Sequence, residues 1–236
     1  MNQADREAAA SGDLSYFQRL GVKASAGTRD EDGRSLLHVA VAGGNLGVVE
    51  LVAPGCAGAV NDADDEGWTP LMSAVSTGNE AVVAFLIKMG ADVGAANSGA
   101  RVALHYAASK GHVGCMRLLL GAGAKPNVKD STGATALHRA ASAGKAEAAR
   151  VLVEEAGARL EEEDQEGQTP LLVAVESSNN RIALLLAGRG AKLDAASKSG
   201  DTPLGIADPQ LRKALMDAAS GKHTAAGEGD EWPTDG

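Results

Sequence analysis

The chain has 236 residues, of which 44% are hydrophobic and 22% charged, a balance typical of a globular protein that can bury a core. Only 3% of the residues are aromatic, so the core must be built from small and medium aliphatic side chains packed at close range. The net charge of −9 argues against nucleic acid as a partner, because contacts with phosphate depend on concentrated Lys and Arg.

The sequence shows neither a basic start followed by an apolar stretch, as in a secretory signal, nor an apolar run of about 20 residues that could cross a bilayer. Its two cysteines, Cys56 and Cys115, lie far apart and lack the close Cys neighbour of a metal or redox pair. We therefore expect two reduced, buried thiols in a soluble protein of the cytoplasm and nucleus that does not contact membranes.

A unit of 33 or 34 residues repeats along the chain. Its register is marked by a leucine at six positions: Leu37, Leu71, Leu104, Leu137, Leu171 and Leu204. Each unit reads approximately Asp-x-x-Gly-x-Thr-Pro-Leu-His-x-Ala-Ala-x-x-Gly, followed by an aliphatic run. This pattern resembles that of ankyrin repeats, which implies an all-α solenoid of about seven helix-turn-helix repeats with projecting β-hairpin fingers.

The two ends of the chain depart from the pattern, as capping repeats do. The first unit keeps only its helical half, and Asp208-Pro209 shortens the last one. The predicted repeats cover approximately residues 1–29, 30–63, 64–96, 97–129, 130–163, 164–196 and 197–217. The remaining residues, 218–236, have too few apolar side chains to fold, so we expect a disordered acidic tail there.

The start of each first helix is predicted from the threonine of the repeated box. A threonine hydroxyl caps a helix, and a following proline takes the first helical position, where its missing N–H costs nothing. This structural position is held by Thr69, Thr135, Thr169 and Thr202. A glycine two residues earlier permits the sharp turn of the finger. In the fourth unit this glycine is shifted to Gly99 and Ala100 follows it, so we expect that finger to be the least regular.

The second helix of each repeat is predicted from an aliphatic run such as 115–120 or 182–186. Aliphatic residues at i, i+3 and i+4 form a stripe that one helix cannot bury by itself. We therefore expect each internal repeat to depend on packing against both neighbours.

Three histidines, His38, His105 and His138, hold the same position in successive repeats. They would lie in a row, one repeat apart, instead of converging on one ion. We predict that they are structural and hydrogen-bond the finger turns. No nucleophile, base and orienting group can be placed together from the sequence, so we predict no catalytic site, no metal and no cofactor.

In a curved solenoid, the fingers and the outward positions of the first helices form a concave binding surface. Its predicted charge is acidic at the N-terminal end, basic at the centre and acidic again at the fifth repeat boundary, and such a pattern selects a partner. Trp68 and Tyr106, as exposed aromatics flanked by charge, are the predicted anchors. The predicted partner-binding residues are Asp30, Asp32, Arg34, Asp64, Asp65, Glu66, Trp68, Arg101, Tyr106, Lys110, Arg139, Glu166 and Glu176.

Three stretches, residues 60–71, 104–110 and 134–141, resemble the gankyrin family (26S proteasome non-ATPase regulatory subunit 10) in the same register, and the resemblance extends over residues 1–217. Its specificity lies at positions that the ankyrin consensus leaves free: Trp68, Tyr106, Lys110 and Arg139. One departure is Ser178, which replaces a helix-ending glycine.

The resemblance implies a non-enzymatic chaperone for assembly of the 26S proteasome regulatory particle. Such a protein binds the C-terminal domain of one AAA ATPase subunit through its concave face, and we expect it to be a monomer when free. The residues by themselves leave a second class of function open, an ankyrin-repeat inhibitor or adaptor of a protein kinase or a transcription factor.

Overall fold

The computed structural model describes residues 1, 3–20, 28–56 and 60–221. Within these ranges the chain forms fourteen α-helices and one short 3-10 helix, Ala53–Cys56, and it contains no β-strand. The predicted all-α repeat fold is confirmed. The side chain of Cys56 and residues 222–236 of the predicted tail lie outside the described part.

The helices come in seven consecutive pairs, each consisting of a first and a second helix. The first helices are α1 (Gln3–Ser11), α3 (Leu36–Gly43), α5 (Pro70–Thr77), α7 (Ala103–Lys110), α9 (Ala136–Ser142), α11 (Pro170–Glu176) and α13 (Pro203–Ile206). The second helices are α2 (Leu14–Leu20), α4 (Leu46–Val52), α6 (Glu80–Lys88), α8 (Val113–Gly121), α10 (Ala146–Glu154), α12 (Asn180–Gly188) and α14 (Pro209–Ala219).

The pairs stack so that each helix packs against its counterparts in the neighbouring repeats. Helix α7 contacts α5 and α9, and α8 contacts α6 and α10. The register leucine is fully buried in five repeats, from Leu37 to Leu171, but Leu204, in the last described repeat, is only half-buried. The core is therefore a continuous stack in which every internal repeat buries its apolar stripe against two neighbours.

The last repeat has a short first helix and a long second one. Helix α13 ends after four residues, and the carboxylate of Asp208 caps α14 by accepting hydrogen bonds from the amides of Gln210 and Leu211 at 2.8 and 2.9 Å. Helix α14 continues to Ala219, past the predicted domain end at residue 217, and Ala218 is buried. The exposed Met216 lies on its outer side.

The fingers are hydrogen-bonded turns instead of the expected β-hairpins. In the described part of the chain their only bridge joins Arg29 and Ser35. Consecutive tips are tied by single backbone bonds, of which the Asp65 amide to the Asp32 carbonyl at 3.1 Å is one. A Cβ on Gly67 would lie 2.9 Å from the backbone of the next finger, so both its positive φ and this close approach require glycine there.

The fourth finger is regular, contrary to the sequence prediction. Ala100 itself takes the glycine position with φ of 55°, and its amide donates to the Asn97 carbonyl at 2.8 Å, as Gly67 does to Asp64 at 2.9 Å. Repeat packing therefore imposes the left-handed conformation on a residue with a Cβ. Ser178 likewise replaces a helix-ending glycine with φ of 57°.

Candidate protein-binding face

The finger turns and the exposed residues of the first helices form one surface, here named the finger-side face. Its finger positions include Trp68 and Arg101, and its helix positions include Tyr106 and Arg139. Residues 38 apart in sequence, 68 with 106 and 101 with 139, are neighbours because one belongs to a finger and the other to the first helix of the next repeat.

Trp68 and Tyr106 pack on each other across the boundary between the third and fourth repeats. Their ring centroids are 4.4 Å apart and their planes are inclined by 39°. The Tyr106 hydroxyl also accepts a hydrogen bond of 2.7 Å from Nδ2 of Asn97. Both rings are half-buried, less exposed than the sequence prediction assumed, and the pair is a rigid aromatic platform with one open side.

Asp130 joins the two arginines at the centre of the face. Its side chain is fully buried, and Oδ2 accepts hydrogen bonds from Nε of Arg101 at 3.3 Å and from Nε of Arg139 at 2.9 Å. Burial opposes ionisation, but the hydrogen bonds from Thr132 and Arg139 outweigh it and hold the pKa of Asp130 well below its ordinary value of 3.8. The carboxylate is therefore ionised at neutral pH.

These groups form one connected row across three repeats, through Asn97. While its Nδ2 contacts Tyr106, its Oδ1 accepts hydrogen bonds from the amides of Gly99 and Arg101 at 3.1 and 3.0 Å. The row consists of Trp68, Tyr106, Asn97, Arg101, Asp130, Arg139 and Thr132. The predicted basic centre therefore carries two guanidinium groups and one buried carboxylate, so its net charge is about one.

The remaining predicted residues of the face lie outside this row. Lys110, at the end of α7, is exposed and makes no hydrogen bond or ion pair with any described residue. Glu176 accepts a hydrogen bond of 2.6 Å from Gln168, and Arg34 pairs with Asp32 at 2.6 Å. Three more, Asp65, Glu66 and Glu166, are exposed at finger tips.

Asp30 and Asp64 hold their own fingers together instead of facing outward. Oδ1 of Asp64 accepts hydrogen bonds from the amides of Glu66 and Trp68 at 3.0 and 2.8 Å, and Asp30 repeats this arrangement. Their geometry gives both residues a structural role in the turn, and the partner contact predicted from sequence stays a prediction. The sequence contains a signal for this turn role, because a short polar side chain recurs at the same register position of each finger. These positions are Asp30, Asp64, Asn97, Asp130, Asp164 and Ser197.

Sequence reasoning missed both linking residues of the row, Asn97 and Asp130. They lie in the fourth and fifth fingers, at the same register position, but each side chain has two functions. In Asp130, Oδ1 serves the turn by accepting from the amides of Thr132 and Ala134, which leaves Oδ2 free to bind both arginines. Only the distances between side chains reveal the second function, which is to link neighbouring side chains of the row.

Comparison with known proteins decides the family. A family model for ankyrin repeats in three copies matches residues 6–97 and 104–197, and a second, for ankyrin repeats in many copies, matches 78–120. The chain belongs to the ankyrin-repeat family. The human ASB11 ankyrin repeat domain superposes with a TM-score of 0.80 and 27% identity, covering 92% of this chain and 98% of that one.

Curated ankyrin-repeat relatives match over shorter stretches. The 26S proteasome non-ATPase regulatory subunit 10 of Dictyostelium discoideum is 42% identical over 76 residues, 32% of each chain. Protein phosphatase 1 regulatory subunit 27 of Mus musculus is 40% identical over 88 residues, 36% of this chain and 56% of that one. The chain thus spans about a third of the first relative and about half of the second. By their names, these relatives are regulatory subunits.

The histidines of these ankyrin repeats form one of two kinds of helix cap. In His105, Nδ1 accepts a hydrogen bond from the Val102 amide at 3.1 Å, so the proton is on Nε2, which faces the carbonyls of Val128 and Ala134 at 3.1 and 3.2 Å. His38 and His138 repeat this bridge to the following finger. Burial lowers the pKa of all three below 6.5, so they are neutral.

The third, sixth and seventh ankyrin repeats use the threonine cap. The hydroxyls of Thr69, Thr169 and Thr202 accept hydrogen bonds from the amide three residues later, at 3.3, 3.4 and 3.0 Å. Thr135 differs, because its hydroxyl lies 2.9 Å from Nδ1 of His138 instead. A repeat with histidine at the third helical position therefore does not need the hydroxyl cap.

Other chemistry has little support in the described ranges. No group of three His, Cys, Asp or Glu side chains there could hold a metal ion, and no helix there is long and apolar enough to span a membrane. Cys115 is a buried free thiol, and burial raises its pKa to about 11. The arrangement of the finger-side face is that of a surface for binding another protein.

Proposed function

We propose that this protein-binding scaffold is a chaperone for assembly of the 26S proteasome regulatory particle and that it binds the C-terminal domain of an AAA ATPase subunit through the finger-side face. The observation that carries the proposal is the connected row from Trp68 to Arg139. Trp68, Tyr106 and Arg139 are residues that the repeat does not require, and they are also those that carried the family resemblance. We also propose that the protein is located in the cytoplasm and nucleus.

The chemistry of the row suits an acidic or amphipathic partner surface. The aromatic pair offers apolar area at low cost in conformational entropy, and aromatic and arginine side chains dominate the energy of many interfaces. Arg101 and Arg139 are held in place by Asp130 before any partner binds, so little side-chain entropy is lost on binding. Lys110 adds a flexible charge beside this rigid centre.

A lysate pull-down with the full chain tests the proposal. We expect it to recover proteasomal ATPase subunits, and Lys110→Glu to weaken that recovery about fivefold, corresponding to ~1 kcal/mol. Lys88→Glu is the matched control, since Lys88 is an exposed lysine at the end of the second helix α6 and lies off the finger-side face. Failure to recover any subunit of the regulatory particle would reject the chaperone function.

The match to protein phosphatase 1 regulatory subunit 27 favours a second candidate, an adaptor that binds protein phosphatase 1. Such an adaptor would have the same ankyrin-repeat scaffold as the proposed chaperone but would bind a different partner. The same pull-down separates the two, because this adaptor would recover the phosphatase catalytic subunit without proteasome subunits. Recovery of a protein kinase or a transcription factor would favour the remaining class of ankyrin-repeat adaptors.

A further inference from the structure

A groove of about 480 Å³ lies on the second-helix side of the molecule, between α10, α12 and the C-terminal end of α14. This volume falls within the range of about 300–1,000 Å³ that is usual for binding pockets. None of the residues of the finger-side face lines it. Its side chains include Glu147, Arg150, Arg181, Leu184, Leu185 and Arg189.

One guanidinium group of the groove, that of Arg181, lacks a close ion pair within the described residues, although its charge acts at longer range on Glu147. Arg150 pairs with Glu147 and Glu154 at 2.5 and 2.7 Å, and Arg189 also pairs with Glu154. Arg181 is exposed and makes no hydrogen bond or ion pair with any described residue. A third carboxylate, Glu155, lies 3.9 Å from Arg150 and pairs with Arg117 at 2.8 Å. Four arginines therefore face three carboxylates here, and the excess positive charge lies at Arg181, above the half-buried Leu184 and Leu185 of the same helix.

The end of the described chain lies at this groove, because Gly221 is one of its lining residues. The sequence that follows contains one lysine, four acidic residues and a tryptophan, Trp232. We propose that segment 228–232 of this chain docks in the groove, with the indole of Trp232 against Leu184 and Leu185 and the carboxylate of Glu231 on Arg181.

The length of the tether permits this docking. Ten residues lie between Gly221 and Trp232, and the eleven steps from one to the other reach at most about 36 Å when extended. As a flexible chain they span about 18 Å on average. A segment tethered this closely has an effective concentration near the groove of the order of millimolar, which is enough for a weak ionic and apolar contact. Another protein would need a higher affinity to compete.

Docking of the segment would cover the outer side of the last described repeats. It would leave the finger-side face open, so the inference does not depend on which partner that face binds. Because the contact includes an exposed ion pair, raising the salt concentration should weaken it.

Acrylamide quenching of Trp232 in the full chain tests the docking. The difference in fluorescence between the wild-type chain and Trp232→Phe isolates Trp232 from Trp68. We expect Trp232 to be quenched several-fold more slowly in the folded chain than in urea. Arg181→Glu should raise its quenching rate about twofold or more, and the double variant Arg181→Glu with Glu231→Arg should restore the protection.

Lys213→Glu is the matched control, since it makes the same charge reversal at an exposed residue of α14 that does not line the groove. It should leave the quenching of Trp232 unchanged. Equal quenching in the folded and the urea-unfolded chain overturns the proposal, and so does protection that Arg181→Glu does not alter. Protection that increases with protein concentration would assign the groove to the tail of a second copy and would also overturn it.

Discussion

The indole of Trp68 lies against the phenol ring of Tyr106 across a repeat boundary, with the ring centroids 4.4 Å apart. The two residues come from different repeats, so the same contact joins the repeats and forms the candidate binding surface. Substitution at either position should therefore change stability as well as partner binding, and the two effects need separate measurements.

For the aromatic pair, we expect Trp68→Ala and Tyr106→Ala each to lower the free energy of unfolding by about 1–3 kcal/mol, below the range for fully buried aromatics because both rings are half-buried. The double variant should cost less than the sum of the two, with a coupling energy of about 0.5–1.5 kcal/mol. Urea denaturation of the four chains measures it. Strict additivity would show that the stacking contributes nothing.

For the buried carboxylate, Asp130→Ala should destabilise the fold by about 3 kcal/mol, because it leaves Arg101 and Arg139 without their shared partner. Asp64→Ala is the control, since Asp64 makes the same turn hydrogen bonds but no ion pair within the described ranges. Asp64→Ala should lower the free energy of unfolding by only about 1 kcal/mol. Urea denaturation compares the two variants, and equal losses would mean that the ion pairs add no stability.

For the fourth finger, Ala100→Gly should raise the free energy of unfolding by about 0.5–1 kcal/mol. It removes the steric cost of a left-handed residue with a Cβ, about 1–2 kcal/mol, and this gain exceeds the entropic cost of glycine. Ala143→Gly is the matched control, because Ala143 has φ of −86° and gains nothing from glycine. Thermal unfolding of both variants measures the difference. Destabilisation by Ala100→Gly would contradict the argument.

The three capping histidines predict a loss of stability in mild acid. In the unfolded chain each histidine binds a proton near its ordinary pKa of 6.5, whereas burial lowers the pKa in the folded chain. As the pH falls below about 6.5 the unfolded state binds more protons, so the free energy of unfolding decreases until the folded pKa values are passed. Urea midpoints between about pH 7.5 and about pH 5 measure this slope.

A glutamine at one of these positions provides the control for the pH dependence. His138→Gln removes one titrating group and keeps an amide that can accept from Thr135 and donate to Gln168. The slope of stability against pH should fall by about a third, because three equivalent histidines contribute to it. An unchanged slope would assign the pH dependence to other groups.

The sequence by itself determined the repeat, its register and most of the helix boundaries. A pattern that recurs every 33 or 34 residues reports the same local structure each time, so a leucine such as Leu104 or a capping threonine such as Thr169 needs no knowledge of distant residues. The role of His105 followed in the same way, since equal register implies a row of structural histidines. Asp30 and Asp64 also share one register position, and this equal register indicates their common role in the finger turn.

Only the tertiary structure decided which side chains meet across repeat boundaries. The register places Arg101 and Arg139 on one face, but it does not reveal that Asp130 lies between them and cancels one of their charges. It marks Ala100 as irregular, whereas packing against the neighbouring fingers imposes the regular turn. Local propensity is read from neighbouring residues in the chain, while ion pairing and stacking depend on distances that stacking of the repeats sets.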